Sequence, residues 1–270
     1  MGEEMQKGWR ISDLSEIADK IVYYHELANS AVKKLEQFHE ALRPLVEAVE
    51  KNGITHFLQV FAEKTHYVVA IKKLGDAQFV QWSYLSEGFL EEIYLSNNVN
   101  KTLRLFVIKK NYRILDETIE KTRNSPSMKN HLRLYNESIQ AFLNGLNDVA
   151  VNGFTSVFDG LLTEVSNNTT HKLKERITPI VNKLKDLYAL DNEEYPIVTL
   201  IFTFSKATDL FSSFTDFSEK EPSWLNRHWI AHGRSVRKKT KIDCVKMVFM
   251  IYGLLLISEL VEKYDETKEN

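Results

Sequence analysis

The octet Asn-Arg-His-Trp-Ile-Ala-His-Gly at residues 226–233 brings together two kinds of side chain that phosphodiester chemistry needs. An arginine guanidinium keeps its positive charge at any ordinary pH and matches two phosphate oxygens with two N–H donors. An imidazole titrates near neutrality and can accept or donate a proton. Arg227 and His232, with His228 beside the arginine, therefore supply the groups required to cleave a phosphodiester without a metal ion.

Two other interpretations of the octet remain open. An arginine and a histidine five residues apart occur by chance in many chains, and a histidine beside Trp229 is often a half-buried structural side chain. His228 and His232 are four residues apart, as in the His-Glu-x-x-His motif of zinc proteases. Trp229 occupies the position of the glutamate base in that motif, and it has no acid–base chemistry. We therefore expect no metal site and no cofactor, although the sequence does not exclude a third ligand.

The octet resembles the signature of the HEPN superfamily, which is an arginine, a polar residue, three variable residues and a histidine. In several branches that signature is embedded in an Asn-Arg-His…His-Gly frame, as it is here. The resemblance covers roughly residues 128–265, and only the octet is specific. More weakly, residues 154–162 resemble an acidic-Gly-apolar stretch of related bundles. Membership implies an antiparallel bundle of four or five helices, paired so that two motifs share one cleft.

The resemblance also implies metal-independent RNA cleavage, in which the 2′-hydroxyl attacks its own phosphodiester. The products are a 2′,3′-cyclic phosphate and a 5′-hydroxyl. Carried onto this chain, His232 is the acid or base, Arg227 binds the charge of the phosphorane, and His228 orients or assists. Asn226 and Asp159 are the expected supporting residues, although Asp159 is equally well explained as a carboxylate on a helix surface.

The expected function is therefore that of a ribonuclease acting as a toxin or antiphage defence effector, as many HEPN proteins do. The expected partners are RNA, a second copy of the chain, and an antitoxin or other regulatory protein. The alternative is a HEPN module without catalysis, which binds RNA, nucleotide or a partner protein through the same cleft. The intact arginine–histidine pair favours the ribonuclease, because a module that only binds has no need of the histidine.

The spacing of the motif constrains its geometry. Five residues on a regular α-helix turn through about 500°, so Arg227 and His232 diverge by about 140° around the helix axis. Either the two side chains flank a cleft, or His232 lies on the last turn, where Gly233 lets the backbone bend. Pro222 suits the first turn of such a helix, Gly233 suits its end, and an apolar helix starts near Thr240.

Basic residues surround the octet, although the whole chain has a formal net charge of −2. Between Pro222 and Lys241 there are six Arg or Lys residues and no acidic residue. Such a patch suits the phosphates of a nucleic acid, and the alternative is a solvated loop. The residues expected to bind RNA outside the reacting bond are Arg234, Arg237, Lys238, Lys239 and Lys241.

The composition predicts an all-α protein. A chain of 270 residues that is 43% hydrophobic can bury a substantial core, and only 10 Gly and 5 Pro favour long helices over many turns. The boundary signal Arg123–Ser127 predicts a helical N-terminal region, residues 1–125, and a HEPN-like antiparallel bundle, residues 126–270. Helical patterns in the second part cover residues 128–146, 149–165, 171–187, 196–214 and 240–264.

The N-terminal part matches no family by its sequence pattern. Residues 14–49 have a heptad pattern interrupted by Pro44, which indicates either a long helix packed on its own domain or a dimerising arm. Helical patterns then cover residues 57–73, 79–95 and 99–120. The short apolar runs at residues 68–71 and 105–108 fit strands as well as helices.

The remaining features predict a cytoplasmic protein outside the membrane. The single cysteine, Cys244, excludes an internal disulfide, suits a reducing compartment and lies in an apolar helix. The first residues lack the apolar core of a secretion signal. The longest apolar run, Met247–Ser258, is 12 residues long, which is too short to span a bilayer and fits a buried helix.

Overall fold

The computed structural model describes residues 67, 69–80, 87–110, 112–170, 172–188 and 195–269. Their regular structure is entirely helical, with no strand in any of these ranges, which confirms the all-α class. Residues 69–71 belong to a helix that continues to residue 76, and residues 105–108 lie within a π-helical segment, Arg104–Lys110. Both alternative strands were therefore wrong. The heptad pattern at residues 14–49 lies outside the described residues.

The α-helices from residue 87 onward are numbered in chain order. They are α1 (Glu87–Leu95), α2 (Val99–Leu103), α3 (Tyr112–Asn124), α4 (Leu132–Leu143), α5 (Asn147–Ser166), α6 (Leu173–Tyr188), α7 (Tyr195–Ser212), α8 (Arg227–Ala231) and α9 (Lys241–Glu269). The π-helical segment links α2 to α3, and a 3-10 turn, Pro126–Met128, precedes α4. The five helical patterns expected after residue 128 correspond to α4, α5, α6, α7 and α9.

Helices α5 and α9 form the centre of the packing. Helix α5 contacts α4, α6, α8 and α9, and α9 also contacts α3, α6 and α7. Every residue from Asp243 to Leu255 is buried, because this part of α9 is covered on all sides and is apolar apart from Asp243 and Lys246. Cys244 is among these residues, and burial raises the pKa of its thiol to about 12, so it is a core residue and a poor nucleophile.

The same helix is long and apolar enough to cross a membrane over Lys241–Glu262, but 78% of its apolar window is buried inside the protein. That degree of burial is typical of the core helix of a soluble fold. Each large apolar side chain buried there stabilises the folded state by roughly 1.5–3 kcal/mol.

The described helices on both sides of Ser125 belong to one compact unit, Leu58–Asn270. Phe79 packs on Phe249 of α9, with ring centroids 4.7 Å apart. The buried Gln78 side chain donates to the carbonyl of Leu225 at 2.7 Å and accepts from the amide of Leu225 at 2.7 Å. The described residues on the two sides of Ser125 therefore pack together within this unit.

A close approach between α4 and α5 depends on Gly153. A Cβ atom at this position would lie 2.0 Å from Oγ of Ser138 and 3.2 Å from its Cβ. The Ser138 hydroxyl is held in place because it donates to the carbonyl of Leu134 at 2.7 Å. Only the absence of a side chain at residue 153 lets the two helices pack at this distance.

We predict that Gly153→Ala lowers the free energy of unfolding by about 1–3 kcal/mol, because it overpacks this contact. The double variant Gly153→Ala/Ser138→Ala should recover wild-type stability, since it removes the clashing hydroxyl and gains the better helix propensity of alanine. Urea denaturation measures both. A double variant as unstable as Gly153→Ala would show that Ser138 does not set the helix separation.

Candidate active site at the end of helix α8

The start of α8 is fixed by Asn226, which caps the helix. Its Oδ1 accepts from the amide of Trp229 at 3.2 Å, and its Nδ2 donates to the carbonyl of Ser213 at 2.7 Å. A cap of this kind stabilises a helix by about 1 kcal/mol. The helix therefore begins at Arg227, not near Pro222 as expected, because Asn226 rather than the proline supplies the first-turn interactions.

The end of α8 is fixed by Gly233. This residue has φ +64°, and its amide donates to the carbonyl of Ile230 at 3.0 Å. The amide of Arg234 donates to the carbonyl of Trp229 at 2.9 Å, so the pair forms a Schellman motif, in which glycine is favoured. His232 is the last residue before this turn, with φ −90° and ψ 6°. Of the two geometries expected for the motif, the structure therefore has His232 on the last turn.

The Arg227 guanidinium is oriented by Asp159 of α5. Its Nη2 donates to Oδ2 of Asp159 at 3.1 Å, and its Nε lies 3.0 Å from Oδ1. This pairing uses the Nε edge of the guanidinium, whose five N–H groups form a rigid fork. The N–H groups on Nη1 have no partner among the described residues, and the side chain is 25% exposed. A phosphate can therefore approach Arg227 while Asp159 still holds it.

Asp159 is itself held by Arg176 of α6, which the sequence analysis missed. The Arg176 side chain is 2% exposed. Its Nη2 donates to Oδ1 of Asp159 at 2.5 Å, and its Nη1 donates to the carbonyl of the same residue at 3.0 Å. A signal was present in the sequence, because Arg176 shares the apolar face of α6 with Leu173, Ile177 and Ile180. A buried arginine on such a face requires an acidic partner.

The two histidines lie in an aromatic cluster, which we define as Phe214, Phe217, His228 and His232. The ring of Phe217 stacks on His228 with centroids 4.3 Å apart and planes 3° apart. The His228 and His232 rings meet edge to face at 4.7 Å. Burial, then the charges of His232 and Arg227, lower the pKa of His228, which favours its neutral form. His232 is exposed to solvent.

The loop that carries the two phenylalanines is attached to α8 on both sides of Phe214. Asn226 binds Ser213, as described above, and the indole of Trp229 donates to Oγ1 of Thr215 at 2.6 Å. The sequence carries no signal for Phe214 or Phe217, because nothing local separates a phenylalanine beside a motif from one in the core. Only the contacts between this loop and α8 reveal their place.

The expected RNA-binding patch is smaller than the sequence suggests. Lys239 is 4% exposed, and its Nζ lies 3.1 Å from Oε1 of Glu221. Burial alone would raise the pKa of Glu221, but hydrogen bonds from Ser235, Lys239 and the amides of Val236 and Arg237 lower it. Lys239 is therefore an internal counter-ion and not an RNA contact, which corrects the expectation.

Arg237 is likewise paired with an acidic residue, although its side chain is 27% exposed. Its Nη1 lies 3.0 Å from Oδ2 of Asp243, and that oxygen also accepts from the amide and hydroxyl of Thr240 at the start of α9. The acidic partners of both cations, Glu221 and Asp243, flank the window in which the sequence shows no acid. The exposed cations that remain of the expected set are Arg234, Lys238 and Lys241.

No three His, Cys, Asp or Glu side chains gather as a metal-binding group anywhere in the described ranges, so the His228–His232 pair has no third ligand there.

No protein-family model, no curated protein and no solved structure matches the chain. Function is therefore inferred from the geometry of the residues around α8.

We predict that Lys239→Met destabilises the fold by about 1–3 kcal/mol, because it leaves the half-buried Glu221 carboxylate without its counter-ion. The neighbouring exposed Lys238→Met is the matched control and should change stability by less than about 0.5 kcal/mol. Urea unfolding of the two variants measures the difference. Equal, small effects would mean that the Lys239 ammonium is solvated and available to a ligand.

Proposed function

We propose that this protein is a metal-independent endoribonuclease of the HEPN type. The observation that carries the proposal is the meeting of two kinds of group at one short helix. An arginine is oriented by a carboxylate and has one edge without a partner among the described residues, and the same helix and the residue that ends it carry two histidine rings 4.7 Å apart. A fixed positive charge and a pair of titratable imidazoles are what transfer of a phosphoryl group to a neighbouring hydroxyl requires.

The reaction follows from these groups. A neutral imidazole removes the proton of the ribose 2′-hydroxyl, and the 2′-oxygen forms a bond to phosphorus. The bond from phosphorus to the 5′-oxygen breaks, and that oxygen takes a proton from the second histidine, which acts in its protonated form and becomes neutral. Arg227 supports the extra negative charge on the phosphorane through its unpaired N–H groups. The products are a 2′,3′-cyclic phosphate and a 5′-hydroxyl.

The two histidines differ in a way that suggests separate roles. The lowered pKa of His228 favours its neutral form, which is the form that can accept a proton, so we assign it to the 2′-hydroxyl. His232 is exposed at the end of the helix, so we assign it to the leaving 5′-oxygen. Asp159 orients the arginine, and Asn226 fixes the helix that carries all three groups.

The wider setting rests on the resemblance to the HEPN superfamily. We propose a homodimer in which two copies of α8 face each other in one cleft, so that each copy contributes an arginine and its histidines. We further propose a cytoplasmic toxin or antiphage effector that is controlled by an antitoxin or other regulatory protein. A module that binds RNA, nucleotide or a protein without cleaving RNA is the competing function, and the experiment below separates the two.

The test is incubation of the purified protein with total RNA in the presence of EDTA, followed by analysis of fragment ends. We expect cleavage to persist and to give 2′,3′-cyclic phosphate and 5′-hydroxyl ends. His232→Ala should slow cleavage by about two to four orders of magnitude. Arg227→Lys should also fail, because a point charge cannot keep the contact with Asp159 and bind phosphate together.

Lys101→Met is the control for these variants, since it changes an exposed cation of α2, outside α8 and the loop that follows it, and should cleave normally. Fragments with 5′-phosphate ends, or loss of cleavage in EDTA, would contradict the proposed chemistry. Binding of RNA without any cleavage by the wild-type protein would favour the competing function.

The pH dependence of kcat/KM tests the assignment of the base. Because the pKa of His228 is lowered and its neutral form is required, activity should rise with pH through a midpoint below the ordinary histidine value of about 6.5. Phe217→Leu removes the stacked ring and exposes the imidazole, so the midpoint should move up toward that value. A midpoint that does not respond to Phe217→Leu would assign the acidic limb to another group.

A further inference from the structure

Phe214 is the exposed phenylalanine of the cluster, with 80% of its surface accessible to solvent. An exposed phenylalanine forgoes the roughly 1.5–3 kcal/mol that burial of its ring would contribute, so the fold does not explain its position. Both of its chain neighbours are nevertheless fixed to α8, Ser213 by Asn226 and Thr215 by Trp229. The ring is therefore presented to solvent by a well-anchored backbone.

The aromatic cluster that contains this ring also carries titratable and charged side chains. Phe214 lies against His228, with centroids 5.2 Å apart, and His228 contacts His232. The guanidinium of Arg234 lies over Phe217 at 5.0 Å, on the same aromatic cluster. An apolar protein surface would avoid unpaired cations at its contact. A ligand with a flat aromatic face next to an anionic group matches both features, and a nucleotide unit of RNA is such a ligand.

We propose that Phe214 stacks on a nucleobase next to the scissile phosphate, so that the protein selects single-stranded RNA. This inference rests on the proposed function, because it places the base beside the phosphate that Arg227 and His232 contact. A base in a duplex is already stacked between its neighbours and cannot lie on a protein ring without being unpaired. A base in a single strand has an open face, and every base offers the same kind of surface.

The experiment compares the binding of a short fluorescein-labelled single-stranded RNA by four proteins in the His232→Ala background, measured by fluorescence anisotropy. The four carry Phe214, Phe214→Trp, Phe214→Leu and Phe214→Ala. We expect Kd to rise by at least about fivefold for Ala and for Leu, and to stay within about twofold for Trp, because stacking needs a π-face. Leu143→Ala, an exposed apolar residue at the end of α4, is the matched control and should bind normally.

An RNA in which abasic sites replace single bases completes a mutant cycle. One abasic position should weaken binding by the Phe214 protein by about as much as Phe214→Ala does, and should have no further effect on the Ala variant. A fully paired duplex of the same sequence should bind more weakly, with the same Kd for both proteins.

The outcomes separate the two claims. If the wild-type chain cleaves RNA, and Phe214→Ala binds RNA with unchanged affinity and single-strand preference, the stacking inference is wrong and the ribonuclease proposal is supported. If RNA binding depends on Phe214 but the wild-type chain does not cleave RNA, the stacking site is supported and the ribonuclease proposal is wrong. If Phe214→Ala dissociates a dimer in light scattering and does not affect RNA binding, the ring contacts a second copy and the inference is wrong. Equal binding by the Leu and Phe proteins would likewise overturn stacking.

Discussion

The carboxylate of Asp159, shared between a buried and a half-exposed arginine, is the interaction on which the candidate site depends. Arg176 is enclosed by α5 and α6 and needs a counter-charge, which Asp159 provides from the adjacent helix. The same carboxylate reaches Arg227 at the start of α8. One acidic group therefore ties three helices together and sets the direction of the guanidinium that faces solvent. The trio has one positive charge in excess, which is the charge that remains to attract a phosphate.

Such a buried pair is not evidence of stability in itself. Desolvation of an arginine and an aspartate costs about as much as their attraction returns, and apolar residues of the same volume often do as well. An all-apolar packing of α5 on α6 would nevertheless leave Arg227 without an orienting partner. We infer that the pair is retained for the geometry it gives to Arg227.

The sequence predicted the features that depend on local pattern. The bounds of α5, α6, α7 and α9 fall within a few residues of the helical patterns, because each helix has an apolar face or is apolar throughout. The end of α8 at Gly233 followed from the need for a left-handed residue. The features that the sequence did not reveal depend on distant residues. Asp159 and Arg227 are 68 positions apart, and no periodicity connects them.

In the basic loop after α8, the number of Lys and Arg residues in the sequence overestimates the number of cations that are free of acidic partners. Glu221 and Asp243 lie just outside the window that contains only cations, and the fold brings them onto Lys239 and Arg237. These two cations hold the loop that follows Gly233, whereas Arg234 stays exposed beside the aromatic cluster. Basic residues a few positions apart in this loop therefore differ in role. Lys239 pairs with an acidic residue inside the fold, and Arg234 is exposed to solvent. Burial decides which of the two roles a basic residue has, and the sequence of a loop does not predict burial. The internal pairs keep the backbone on the C-terminal side of His232 in place, so the rigidity of the site comes from the same basic residues that composition alone assigns to RNA.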